Sequence, residues 1–130
     1  MIKKCNYLIK ACRPQQWAKN ILCLVPLFIT EGVAFYDCIN TFISALCFVF
    51  CSSAIYLIND IKDLELDKLH PVKRYRPLAC GKISVIDSAM LSITLIIISI
   101  LLSLSIDKSL SNILILYIFM QFIYCFWAKN

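Results

Sequence analysis

Three long stretches of the chain carry no charged residue: Cys38 to Ile58, Ser88 to Ile106 and Ser109 to Ala128. Each is close to the ~20 residues that an α-helix needs to cross the hydrocarbon core of a bilayer. None alternates apolar and polar positions as a membrane β-barrel strand does. The pattern predicts helices throughout. A fourth segment, residues 17–35, is also mostly apolar but contains Lys19, Pro26 and Glu31. A proline is tolerated in a membrane helix when neighbouring helices satisfy the freed backbone group, and a fourth span is expected here. Between the first two uncharged runs the pattern inverts: residues 59–77 read NDIKDLELDKLHPVKRYRP, with four acidic side chains and six that are basic or histidine.

Composition agrees with the pattern. Of 130 residues, 61% are hydrophobic, against roughly half in an ordinary soluble domain. The chain is expected to be an all-α, polytopic transmembrane bundle, with spans near 17–35, 38–59, 84–106 and 109–128. The N-terminus lacks the apolar core and small-residue cleavage site of a signal peptide.

Charge then selects a topology. Lys3, Lys4, Lys10, Arg13 and Lys19 precede the first span; Lys62, Lys68, Lys73, Arg74, Arg76 and Lys82 lie between the second and third; Lys129 follows the fourth. With four spans, only Lys108 falls on the opposite side, as the excess of basic residues in cytoplasmic loops requires. Both termini and the loop 60–83 are expected in the cytoplasm, and the membrane to be a bacterial inner membrane. The basic residues follow topology, and no nucleic-acid partner is expected. The eight cysteines form no CxxC pair, so they read as small packing groups. With two glycines in the whole chain, a glycine-rich phosphate loop is excluded.

The acidic residues carry the candidate chemistry. If the second span continues helically past Ile58, each residue advances about 100°, and Asp60, Asp63 and Asp67 fall within an arc of roughly 60° by that geometry. Tyr56 and Asn59 border the stripe and Glu65 points away. Like charges at this spacing destabilise a helix by a few tenths of a kcal/mol, which a cation would offset. Hard oxygen donors suit Mg²⁺, which is usually held by a few carboxylates together with substrate phosphates. The competing reading is a solvated loop in which Lys62 and Lys68 pair with the acids. Position at the end of a span favours function, because ionisable groups at membrane depth are costly. Lys73, Arg74 and Arg76 follow directly, between helix-breaking prolines, where they could fold back over the acids. Carboxylates on one wall and cations on the other describe a site for a diphosphate.

These segments resemble a known family. NDIKDLELD resembles the first aspartate-rich motif, N-D-x-x-D-x-x-x-D, of the UbiA superfamily of intramembrane prenyltransferases. KRYRPLACG is similar to its K/R-x-R-P-L-x-S-G segment, with Cys80 in place of the usual serine. RPQQWAKNILCLVPL, from Arg13 to Leu27, resembles the R-P-x-Q-W-x-K-N signature of the branch that transfers phosphoribosyl groups to polyprenyl phosphates, and QFIYCFWAKN resembles that branch's fourth-helix ending. The resemblance implies a Mg²⁺-dependent transferase that moves a 5-phosphoribosyl group from phosphoribosyl diphosphate to a polyprenyl phosphate such as decaprenyl phosphate, for cell-envelope synthesis. On matching positions it implies Asp60, Asp63 and Asp67 as metal and diphosphate ligands, supported by Asn59. Lys19, Lys73, Arg74 and Arg76 would contact phosphates, and Arg13 and Trp17 would lie near the entry of the lipid phosphate. The same machinery serves prenyl transfer to an aromatic acceptor, the alternative activity. The family's fold has about nine spans and a second aspartate-rich motif. This sequence is therefore expected to be the N-terminal part of such an enzyme, incomplete in activity, or an inactive truncated membrane protein.

Overall fold

The computed structural model describes residues 2–32 and 34–128, leaving aside the side chains of Ile2, Ile21, Pro26 and Ala128. Val33, near one end of the expected first span, and Lys129, the basic residue after the last, lie outside the described residues. Helix α1 covers Ile2–Ala11. A 3₁₀ helix, Pro14–Leu24, runs into the short α2, Val25–Ile29. Then come α3 (Phe35–Lys62), α4 (Leu64–Leu69), α5 (Val85–Ile106) and α6 (Lys108–Ile123), the last ending in a π-turn at Tyr124–Ala128. Among the described residues there is no strand. Among the described residues, three helices are long and apolar enough to cross a membrane: Phe35–Lys62, Val85–Ile106 and Lys108–Trp127.

The expected first span is not one α-helix. Its 3₁₀ portion has 11 residues and α2 has 5. A 3₁₀ helix rises about 2.0 Å per residue and an α-helix about 1.5 Å, so together they reach ~30 Å, the thickness of the hydrocarbon core. The segment runs antiparallel to α3. The Trp17 indole donates to Ser53 Oγ at 3.0 Å and the Asn20 amide to Ser52 Oγ at 3.1 Å. Further along, Leu24 shares a cavity with Phe42 and Ala45.

The bundle's contacts run opposite to those of a soluble protein. On α5, Ser88, Ser92, Ser99 and Ser103 are buried, while Ile86, Met90, Ile93, Ile97, Leu101 and Leu104 are exposed. The serine face packs on Cys47 and Cys51 of α3, which are fully buried. Ser99 Oγ donates to the Cys47 carbonyl at 2.9 Å and lies 3.1 Å from Cys51 Sγ. Small residues let helix backbones approach closely in a membrane, where lipid is as apolar as leucine and packing must supply the attraction. Helix α6 adds Leu114 to the same cluster, and Tyr117 meets Phe48 edge-on at 5.8 Å.

Local sequence explains the element boundaries that matter for the site. Ser84 and Asp87 form a reciprocal cap at the start of α5: Ser84 Oγ accepts from the Asp87 N–H at 3.0 Å, and the Asp87 carboxylate accepts from the Ser84 N–H at 3.1 Å. Helix α4 ends at His70 with extended backbone (ψ 134°), and Arg76 is likewise extended (ψ 145°). Each precedes a proline, whose ring disfavours helical geometry in the residue before it. The chain therefore turns twice between Leu69 and Pro77. Helix α1 closes over this end of the bundle, its Ala11 and the following Cys12 packing with Leu57, Leu78 and Ile83. Lys4 pairs with Asp87 at 2.9 Å and the Lys82 ammonium lies over the Tyr7 ring.

Candidate functional site

Asp60 lies in the last turn of α3, Asp63 at the break between α3 and α4, and Asp67 in α4. The break does not lose the register, because the Asp67 N–H still donates to the Asp63 carbonyl at 2.8 Å. All three acids are buried. Glu65 faces away, 82% exposed and paired with Lys68 at 2.7 Å. One face of a helix thus separates three buried carboxylates from a fourth that is solvated.

Cations reach the buried face from two directions. From the N-terminal side, Arg13 Nη2 meets Asp60 Oδ1 at 2.5 Å, with its guanidinium 4.9 Å from the Tyr56 ring centre. Arg13 holds a left-handed backbone (φ 54°, ψ 66°), which turns the chain from α1 into the 3₁₀ helix and aims the side chain at Asp60. Such backbone costs of order 1–3 kcal/mol and gathers at functional sites, where the surrounding structure holds it in place. From the loop, Arg76 Nη1 lies 3.1 Å from Asp60 Oδ1 and also donates to Asp67 Oδ2, so one guanidinium bridges two acids. Lys73 Nζ stands 3.9 Å from Asp67 Oδ1.

The remaining expected residues divide. His70 accepts the Val72 and Lys73 N–H groups on Nδ1, at 3.1 and 3.2 Å, and so shapes the turn that presents Lys73. Arg74 does not join the carboxylates: its guanidinium donates to the Tyr75 hydroxyl at 2.8 Å and covers that ring. Lys19 is exposed on the 3₁₀ helix. Trp17 is anchored through its indole to Ser53. Asn59 accepts from Cys125 Sγ at 3.2 Å, which ties the stripe to the π-turn of α6.

That tie has a second strand. Lys62 donates to the Cys125 carbonyl and sits 5.1 Å from the Phe126 ring centre. Sequence reasoning offered Lys62 to the acids. The structure gives it to a carbonyl within the π-turn, a feature with no sequence signal of its own. Cys80, at the usual serine position, is 3.6 Å from the Pro77 carbonyl, within the turn that Gly81 closes with a left-handed φ of 72°. Burial pushes the Cys12 thiol above its ordinary range, so it stays neutral and packs.

Among the described residues, no three His, Cys, Asp or Glu side chains converge as a ready-made metal cage. The donor set still fits one kind of ion. Asp60 and Asp67 offer carboxylate oxygens paired with side-chain cations, and Mg²⁺ is ordinarily held by one or two carboxylates plus phosphates and water.

Comparison with known proteins sharpens the geometry. The model of the UbiA prenyltransferase family matches residues 21–130. Proteins named decaprenyl-phosphate phosphoribosyltransferase are similar along nearly the whole chain. That of Corynebacterium glutamicum is 40% identical over 95% of this chain and 39% of its own length; that of Mycobacterium tuberculosis is 34% identical over 95% of this chain and 42% of its own. A digeranylgeranylglyceryl phosphate synthase of Saccharolobus solfataricus is 39% identical over 59% of this chain and 27% of its own length. The chain thus spans about two fifths of the phosphoribosyltransferase relatives it matches. With its buried acid stripe at the end of a membrane helix and this match across most of its length, the chain belongs to the UbiA prenyltransferase family, a family of membrane-embedded transferases.

Proposed function

We propose that this chain forms the donor half of a transferase that moves a 5-phosphoribosyl group from phosphoribosyl diphosphate to a polyprenyl phosphate. The observation that carries the reading is the pairing of Asp60 and Asp67 with Arg13, Arg76 and Lys73. Such a cluster can exchange internal ion pairs for bonds to a diphosphate. Similarity to phosphoribosyltransferases over 95% of the chain supports the choice of donor.

Asp60, Asp63 and Asp67 would hold Mg²⁺ together with the donor's diphosphate, where the ion neutralises charge on the leaving group. Arg76, which bridges two carboxylates, and Arg13 turn from the acids to the phosphate oxygens, and Lys73 follows as a point charge. Asn59 and Lys62, fixed by the π-turn of α6, keep the stripe in register. The bond from ribose C1 to diphosphate breaks and its electron pair leaves with diphosphate. An oxygen of the lipid phosphate forms the new bond to C1. That oxygen is already anionic, so no general base is needed. Electrostatic stabilisation by donors set in place beforehand supplies the acceleration.

The topology belongs to the same reading. The three long helices and the 3₁₀–α2 segment form four spans, with both termini, the acid stripe and the 60–83 loop in the cytoplasm of a bacterial inner membrane. Phosphoribosyl diphosphate, a water-soluble donor, would meet the lipid phosphate at that interface.

A second reading is prenyl transfer from a polyprenyl diphosphate to another acceptor, favoured by the digeranylgeranylglyceryl phosphate synthase similarity. Membranes containing a full-length enzyme that includes this chain, given ribose-labelled phosphoribosyl diphosphate, polyprenyl phosphate and Mg²⁺, separate the two. The proposed activity places label in the lipid fraction. Unlabelled lipid, with turnover of polyprenyl diphosphate and an aromatic acceptor instead, supports prenyl transfer and overturns the proposal.

A further inference from the structure

Helix α1 (Ile2–Ala11) is held against the bundle by one face only. Tyr7, Leu8 and Ala11 turn inward onto the cluster of Leu57, Leu78 and Ile83. Lys4 reaches Asp87 in the first turn of α5, and Ala11 meets Leu57 near the end of α3. The helix therefore runs across the two helix ends and not along them. Its other side chains divide into two flanks. Lys3, Asn6 and Lys10 recur at three- and four-residue spacing, which places them on one stripe, and all three are exposed. Neither lysine has an ion-pair partner among the described residues. No acidic residue occurs before Glu31, whereas Lys3, Lys4, Lys10, Arg13 and Lys19 do. Cys5 and Ile9, one turn apart, form the second flank. With Leu8 they line a cavity of about 280 Å³ against Phe50 of α3 and Leu91 and Leu95 of α5. Those last three belong to the uncharged runs of membrane length, yet Ile9 beside them is 50% exposed.

We propose that α1 lies in the plane of the membrane surface and is a docking surface for anionic phospholipid headgroups. Lys3 and Lys10 face the headgroup phosphates with Asn6 between them, and Cys5 and Ile9 dip toward the acyl chains. A helix with a basic and an apolar side is held at an interface by the area it buries together with attraction to anionic lipid. Basic residues that served orientation alone would need no such division into flanks. A soluble protein partner would leave unexplained why the apolar flank sits level with Leu91 and Leu95. The partner is the bulk bilayer and not a lipid that reacts, so the inference goes beyond the transferase reading and stands on the spans alone.

Hydrogen exchange of the α1 amides reads this directly, with the chain in nanodiscs of phosphatidylcholine alone or with about one third phosphatidylglycerol, an anionic lipid. Exchange should be about five- to twentyfold slower with the anionic lipid, since each lysine near such a surface is worth about fivefold. The difference should vanish in about 1 M salt, where the screening length falls to ~3 Å. The double variant Lys3→Gln, Lys10→Gln should abolish the lipid dependence, whereas Lys68→Gln, in α4, should keep it. Ile9→Ser should quicken α1 exchange in both lipids and leave α3 and α5 as they are, which reports an intact bundle. Equal exchange in the two lipids overturns the proposal, as does a lipid dependence that survives in the double variant. Exchange of α1 unaltered by Ile9→Ser removes the helix from the interface and overturns it too. The same slowing produced in phosphatidylcholine by inorganic phosphate or phosphoribosyl diphosphate assigns the lysines to a soluble anion, again against it. None of these outcomes depends on phosphoribosyl transfer, so the two readings fail separately.

Discussion

Two polar regions lie along α3, and they are built on opposite principles. Midway along the helix, Cys47 and Cys51 meet Ser99 of α5 through neutral hydrogen bonds, all buried and mutually satisfied. At the cytoplasmic-facing end of the proposed topology, Asp60 and Asp67 meet Arg13, Arg76 and Lys73 through charges on side chains that are partly exposed. The first region uses small neutral residues that enclose one another, which suits permanent packing. The second uses long cationic side chains, one of them shared between two acids, bordered by an open cavity, which suits exchange with a ligand. Burial of polar groups alone does not separate structure from chemistry in this bundle. Freedom of the partners does.

That contrast can be broken from either side, and the effects should differ in kind. The largest belongs to the acid stripe. Asp67→Asn keeps the shape but removes the charge that Arg76 and Lys73 share, and should lower transfer by about two to three orders of magnitude, the usual effect of losing one preorganised electrostatic contact. Membrane insertion, followed by protease protection, should be unchanged. Equal turnover in Asp67→Asn and the parent would remove Asp67 from the machinery.

Next in size is the pair Arg76 and Arg74, two residues apart in one basic run. Arg76→Ala should cost about tenfold to a hundredfold in transfer, since a charge-assisted contact is worth about 1.5–3 kcal/mol. Arg74→Ala, whose side chain rests on Tyr75, should stay within about twofold, a surface-scale effect. Steady-state rates at saturating lipid decide between them, and a reversed order would mean the loop is presented differently during turnover.

The midway region should respond in stability and not in chemistry. Ser99→Leu forces a large side chain between α3 and α5 and should destabilise the bundle by about 1–3 kcal/mol. Ser99→Ala removes only an interhelical hydrogen bond and should cost about 0.6 kcal/mol, near the average measured for such bonds. Unfolding in mixed detergent reads both. Smallest of all, His70→Ala frees two loop N–H groups, and should loosen the Lys73 turn by about 1 kcal/mol, as loss of a capping acceptor does. His70→Asn, which can still accept, should recover part of it. Hydrogen exchange at Val72 and Lys73 is the readout.

Much of this was legible in the sequence, for identifiable reasons. Uncharged runs of membrane length gave three helices, and helical spacing alone placed Asp60, Asp63 and Asp67 on one buried face with Glu65 outside. Other features depended on local geometry that composition does not encode. The prolines that follow His70 and Arg76 set the loop so that Lys73 and Arg76 point inward while Arg74 does not. The 3₁₀ winding of Pro14–Leu24, where the pattern predicts an ordinary spanning α-helix, had no signal in the run of apolar residues. Lys62 went to a carbonyl in the π-turn of α6, a contact across two elements far apart in sequence. The lining of the cavity beside Arg13 by Lys10 and Gln16 also needed the fold, since α1 reaches it only by docking on Leu57 and Leu78.

The central claim is that the acid stripe and its cations form a site for a magnesium–diphosphate donor. Calorimetric titration of phosphoribosyl diphosphate into the purified protein, with and without Mg²⁺, tests it most directly. Binding should require Mg²⁺, disappear in Asp60→Asn and persist in Arg74→Ala. Binding of equal strength without Mg²⁺, or undiminished in Asp60→Asn, would contradict it.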